Sequence, residues 1–111
     1  MRVVVAVALS LFALTAGADP LKNLQVLPKS TSKADVKKIM KAQARALDVD
    51  CDHCHEVPDM ASDKLPNKEI TRQMMKMVNE INAKYIKGLK DAEKHPVTCA
   101  TCHRGKDVPT E

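Results

Sequence analysis

Cys51-Asp52-His53-Cys54-His55 and Cys99-Ala100-Thr101-Cys102-His103 repeat one pattern, C-x-x-C-H, and between them use all four cysteines of the chain. This is the attachment signature of c-type haem. Two thiols add covalently to the porphyrin, and the adjacent imidazole is offered to the iron. The spacing suits one turn of helix. At about 100° per residue, the second Cys and the His of each motif fall within roughly 60° of the first Cys, an arc of about 100°, so one turn grips one porphyrin edge. The four ligating thiols are therefore Cys51, Cys54, Cys99 and Cys102, and the fifth iron ligands are His55 and His103.

Composition agrees with a core supplied from outside the polypeptide. The 111 residues include no Trp, one Tyr and one Phe. A chain this short buries little surface of its own, and two covalent haems are large apolar plates. The expected fold is all-α: a small multihaem c-type cytochrome, two helix-plus-C-x-x-C-H units packed around two covalent haems. The formal charge of +4 is modest, haem propionates would offset it, and aromatic residues for stacking on bases are lacking. Nucleic-acid binding is not expected. The lysines read as solvated helix faces.

The chain opens with Met1-Arg2, an apolar run from Val3 to Ala16, and Ala16-Gly17-Ala18. This has the order of a secretory signal peptide, with cleavage expected after Ala18. The alternative is an uncleaved anchor, for which the run is short. The expected organisation is residues 1–18 as signal peptide and 19–111 as a dihaem cytochrome domain. That implies a periplasmic protein with no membrane span after cleavage.

Helical periodicity places the rest. Residues 19–31 lead in. Ser32 with Asp35 resembles a capping box, and a helix is expected from Lys33 to Leu47, with Met40 at the centre of its apolar stripe. The chain breaks at Asp48-Val49-Asp50 before the first motif. Residues 56–66 read as loop, Asn67 as the next cap, and Lys68 to Leu89 as a second helix. There Met74 is central, Met77 shares the stripe and Met75 lies on its flank. His95-Pro96 stops any helix before the second motif.

The sixth iron position separates electron transfer from ligand chemistry. Candidates are Met40, Met60, Met74, Met75, Met77, His53 and His95. Periodicity favours Met40 for the first iron and Met74 for the second, with Met77 and His95 as competitors. A helical Met is also ordinary core filler. Met60 reads as packing or exposed, and His53 points away from its own iron. Arg104 is a propionate partner or a solvated side chain.

Two stretches carry a resemblance. Arg72-Gln73-Met74 through Val78-Asn79-Glu80-Ile81-Asn82, followed by Val97-Thr98-Cys99-Ala100-Thr101-Cys102-His103-Arg104-Gly105, resembles a haem-binding unit of the multihaem cytochrome subunit of photosynthetic reaction centres. Val26-Leu27-Pro28 through Met40 to His55 resembles the preceding unit. In that family a Met of the helix lying along each haem is the sixth ligand. The resemblance thus implies Met40 for the haem of Cys51 and Cys54, and Met74 for that of Cys99 and Cys102. It implies a free-standing two-haem version of a four-haem subunit.

The function expected is single-electron carriage between redox-protein donors and acceptors, with His/Met ligation at both haems and no enzyme activity. One alternative is a haem protein with one open iron, for gas sensing or peroxide chemistry. Another is a binding module stapled by zinc through the two C-x-x-C pairs.

Overall fold

A computed structural model describes residues 21–109. The expected signal peptide over 1–18 and the new terminus at Asp19 lie outside the described residues. Those described are mostly helical and contain no strand. None of their helices is long and apolar enough to cross a membrane.

Helix α1 spans Lys33–Leu47, as its caps predict. The Ser32 hydroxyl accepts the Asp35 amide at 3.1 Å and donates to the Asp35 carboxylate at 2.7 Å, satisfying an amide that the first turn leaves free. Asp48 ends the helix in the left-handed region, φ 56°, with its amide returned to Ala44 O. The first motif follows as one tight turn, closed by His55 N–H to Cys51 O at 2.9 Å.

Helix α2 spans Pro66–Ile81, which corrects the expected start at Lys68 and end at Leu89. Pro66 occupies the first turn, where its missing N–H costs nothing, so the helix opens before Asn67. Asn67 is no cap: its side-chain amide donates to His53 O at 3.1 Å. At the far end the helix widens into a π turn over Asn82–Ile86, and Gly88 takes a positive φ of 85°. Asn82 keeps a helical backbone and uses its side chain to clamp a distant segment. Its Nδ2 donates to Val97 O, and Val97 N–H donates to its Oδ1, both at 2.8 Å. This fixes the chain two residues before the second motif.

Helix α3, Cys99–His103, is the second motif itself. Its start is held by Thr98 N–H on the Thr101 hydroxyl at 2.9 Å. Arg104 and Gly105 then take positive φ, 49° and 79°, and turn the chain so that Gly105 N–H reaches Ala46 O at 2.8 Å. The two units are interlocked: α1, from the first, packs on α3, from the second, and α2 also meets α3.

The interior is hollow. Among the described residues only Ala46 and Arg72 are buried, and no large side chain is fully enclosed. Ala46 is buried because α3 crosses there. Ile70, Met74 and Met77 of α2 stay 54%, 40% and 44% exposed. Helices with such apolar faces normally bury them.

Candidate functional site

The hollow is a cleft walled by both motifs and both long helices. Met40, Ala44 and Leu47 of α1 line it, as do Ile70, Thr71, Met74 and Met75 of α2. Cys51, Cys54 and His55 enter from the first motif, and Cys99 and His103 from the second. Leu24, Val26 and Leu27 of the N-terminal segment close one side. The structure thus brings Met40, Met74 and both motif histidines to one space. Cys102 is exposed and Met77 and His95 stand outside this lining.

Both histidines are oriented alike. His55 Nδ1 lies 3.1 Å from Met60 O, and His103 Nδ1 lies 2.8 Å from Lys106 O. A carbonyl oxygen only accepts, so each Nδ1 carries the proton and each Nε2 of the neutral ring keeps its lone pair. That is the preparation a metal-ligating histidine receives from its neighbours. The chain supplies the carbonyls locally, a few residues after each His. Met60, read as packing or exposed, is 48% exposed, and its carbonyl rather than its sulfur makes this contact.

His53 also lines the cleft, but its ring is held elsewhere. Nε2 sits 3.2 Å from Asp107 Oδ1 and 3.2 Å from Asn67 Nδ2. It therefore ties the first motif to the segment after the second.

Met75 corrects a sequence expectation. Periodicity puts it on the flank of the apolar stripe, yet it lines the cleft beside Met74. The cleft wraps around α2. Thr71, one turn before Met75, approaches Cys54 Sγ at 3.6 Å, so this side of α2 faces the first motif. Ile70 and Met74 lie on the adjoining side. A single stripe could not express a helix lined on two sides.

Sequence reasoning missed the charged knot that anchors the cleft wall. Arg72, 9% exposed in its side chain, meets Asp63 at 3.0 Å and Glu69 at 3.2 Å, and donates to Asn23 O at 3.3 Å. Asp63 also takes Lys68 at 3.0 Å and Asn23 Nδ2 at 2.8 Å. Hydrogen bonds from Arg72, Asn23 and Lys68 hold the Asp63 carboxyl far below the ordinary carboxylate range. The Arg72 guanidinium is held still more firmly charged, chiefly by Asp63. Gln73, then Arg72, lower Glu69. The paired burial satisfies every partner, as a buried guanidinium requires. Only the charge alternation of Asp63, Lys68, Glu69 and Arg72 hinted at it.

The donor set fits covalently held haem. Thiols, lone-pair imidazoles and thioethers border an apolar hollow that the chain leaves unfilled. A zinc staple finds less support, since no three His, Cys, Asp or Glu side chains among the described residues converge as metal ligands.

Comparison with known proteins gives the same direction. Residues 11–111 match the family described as photosynthetic reaction centre cytochrome C subunit. Cytochrome c-554 of Chloroflexus aurantiacus is 36% identical over 81 residues, covering 73% of this chain and 20% of the relative. The photosynthetic reaction center cytochrome c subunit of Roseobacter denitrificans is 32% identical over 98 residues, covering 84% and 26%. The corresponding subunit of Thermochromatium tepidum is 36% identical over 59 residues, covering 53% and 14%. The chain therefore spans about a quarter or less of the length of these relatives.

Proposed function

Because the chain belongs to the photosynthetic reaction centre cytochrome c subunit family, we propose that it is a periplasmic two-haem electron carrier, exported by residues 1–18 and working as a domain of residues 19–111. Cys51 and Cys54 would hold one haem, and Cys99 and Cys102 the other. His55 and His103 would offer Nε2 to the irons, and Met40 and Met74 their thioethers. When bound, a c-type haem supplies an iron centre that takes up and releases one electron.

The chain's own residues do the rest. Met60 O and Lys106 O fix the two imidazoles in the tautomer that presents Nε2. The apolar side chains of Leu24, Val26, Leu27, Leu47 and Ile70 would give the haems an apolar wall. With Met40 and Met74 holding the irons beside the histidines, the haems would supply electron transfer between redox proteins rather than catalysis. The observation that carries this reading is the pair of like-oriented C-x-x-C-H histidines facing one hollow with Met40 and Met74 in its wall.

Intact mass of the protein exported with haem-attachment machinery tests it. The expected mass is that of a chain beginning at Asp19 plus two haems. A mass one haem short, or that of the bare chain, contradicts the reading. Carbon monoxide binding by the unaltered reduced protein would favour the open-iron alternative.

A further inference from the structure

We infer that the outer flank of α1 is a docking ridge for the acidic face of a partner redox protein. The inference rests on the electron-carrier reading above and names the chemistry of its partner. Lys33, Lys37, Lys41 and Arg45 recur every fourth residue and are all exposed. They run along about 18 Å of helix at 1.5 Å per residue. Like charges four residues apart repel and weaken a helix, and here that spacing recurs along the whole of α1.

Six cations elsewhere among the described residues, Lys22, Lys29, Lys76, Lys87, Lys90 and Arg104, are also without an ion pair, but of these only Lys76 lies in a helix, so they form no such row; the others are paired or bonded. Lys38 pairs with Asp35, Lys64 with Glu56, Lys68 with Asp63, Arg72 with Asp63 and Glu69, Lys84 with Glu80, and Lys94 with Asp91. None of the four ridge residues has an ion-pair partner among the described residues. Asp35, the acidic residue of α1, pairs with Lys38, which adjoins the ridge. What sets the ridge apart is alignment: four exposed, unpaired cations stand in one row along a single helix.

Its position matters for electron transfer. Met40, Gln43, Ala44 and Leu47 of the same helix line the cleft. At about 100° per residue, Lys37 and Lys41 lie roughly 60° and 100° around the helix from Met40. A partner seated on the ridge is therefore brought against the rim of the cleft. Complementary charge speeds and orients such encounters. A membrane surface fits less well, because an interfacial helix needs its apolar face free to enter the headgroups, and that face of α1 is turned into the cleft.

The test uses haem-loaded protein and flavodoxin, an acidic one-electron flavoprotein, as the probe. The second-order rate of electron exchange is measured by stopped flow at low ionic strength and at about 0.15 M. Lys33→Glu/Lys37→Glu/Lys41→Glu should slow the reaction at low salt by about tenfold or more and abolish its decline with added salt. Lys76→Glu/Lys87→Glu/Lys90→Glu, an equal change in net charge elsewhere, should slow it by less than about threefold. Equal slowing of the two variants, or none in the first, overturns the ridge. So does ridge-dependent binding of the wild type to vesicles containing phosphatidylglycerol, which would assign the strip to a membrane. Haem absorbance is recorded first. Its absence overturns the carrier reading and the ridge with it, whereas equal rates in loaded protein overturn the ridge alone.

Discussion

At Met40 and Met74 the issue is whether a thioether reaches iron or only fills space. If both ligate, Met40→Ala should open the first iron and Met74→Ala the second, each variant binding carbon monoxide at one haem. The potential of that haem should shift, because a thioether favours the reduced iron. The thioether-to-ferric charge-transfer band should vanish in the double variant, and its persistence would show that other residues ligate. Loss of half the band in Met77→Ala alone would reassign the second iron to Met77, which stands 44% exposed. Met75→Ala should leave the band intact and cost stability, less than the roughly 2–5 kcal/mol of a fully buried site. A second residue-scale expectation concerns Asp63. Its carboxyl is depressed from 3.8 in the folded chain by Arg72, Asn23 and Lys68. As pH falls below about 4, the unfolded chain binds a proton there that the folded chain refuses, so stability drops with acid. Asp63→Asn should flatten the melting temperature over about pH 4 to 2 relative to wild type. An unchanged slope would mean that the Arg72 knot contributes nothing to acid sensitivity.

At the scale of elements, the second motif depends on where α2 ends. Asn82 spends its whole side-chain amide on Val97, two hydrogen bonds of 2.8 Å, and Thr98 then starts α3. Asn82→Ala leaves both Val97 groups unmet in a half-buried place. It should cost on the order of 1–3 kcal/mol in denaturant unfolding of the loaded protein. Asn82→Asp keeps the acceptor for Val97 N–H but sets a carboxylate against Val97 O, and should be at least as damaging. Loss of stability without any change in the absorption spectrum would limit the clamp to holding the fold. A spectral change at one haem would show that it also sets His103.

For the whole molecule, the hollow interior is the dominant fact. Two buried residues among those described, one of them an arginine, are far too few to offset the conformational entropy of an ordered chain. Caps shape the helices, and the few long-range polar ties, such as Arg72 with Asn23 and His53 with Asp107, are too few to replace a core. The protein made in the cytoplasm without haem attachment should therefore melt without a cooperative transition in circular dichroism, while the loaded form melts sharply. A cooperative melt of the apo-chain would mean that the helices pack by another route.

Local chemistry was legible from the residues. The C-x-x-C-H repeats, the bounds of α1 with its Ser32 cap, and the scarcity of core side chains all follow from neighbours within one or two turns. The same locality explains the miss at α2, where Pro66 and a distant demand on Asn67 moved the start. What only the tertiary structure decided are contacts between residues far apart in sequence: Arg72 with Asn23, 49 positions away, His53 with Asp107, Gly105 with Ala46. The interlocking of the two units and the placing of Met75 in the cleft belong with these. Periodicity names one face per helix, and α2 has two, because a chain with so little core must wrap its helices around a space rather than against each other.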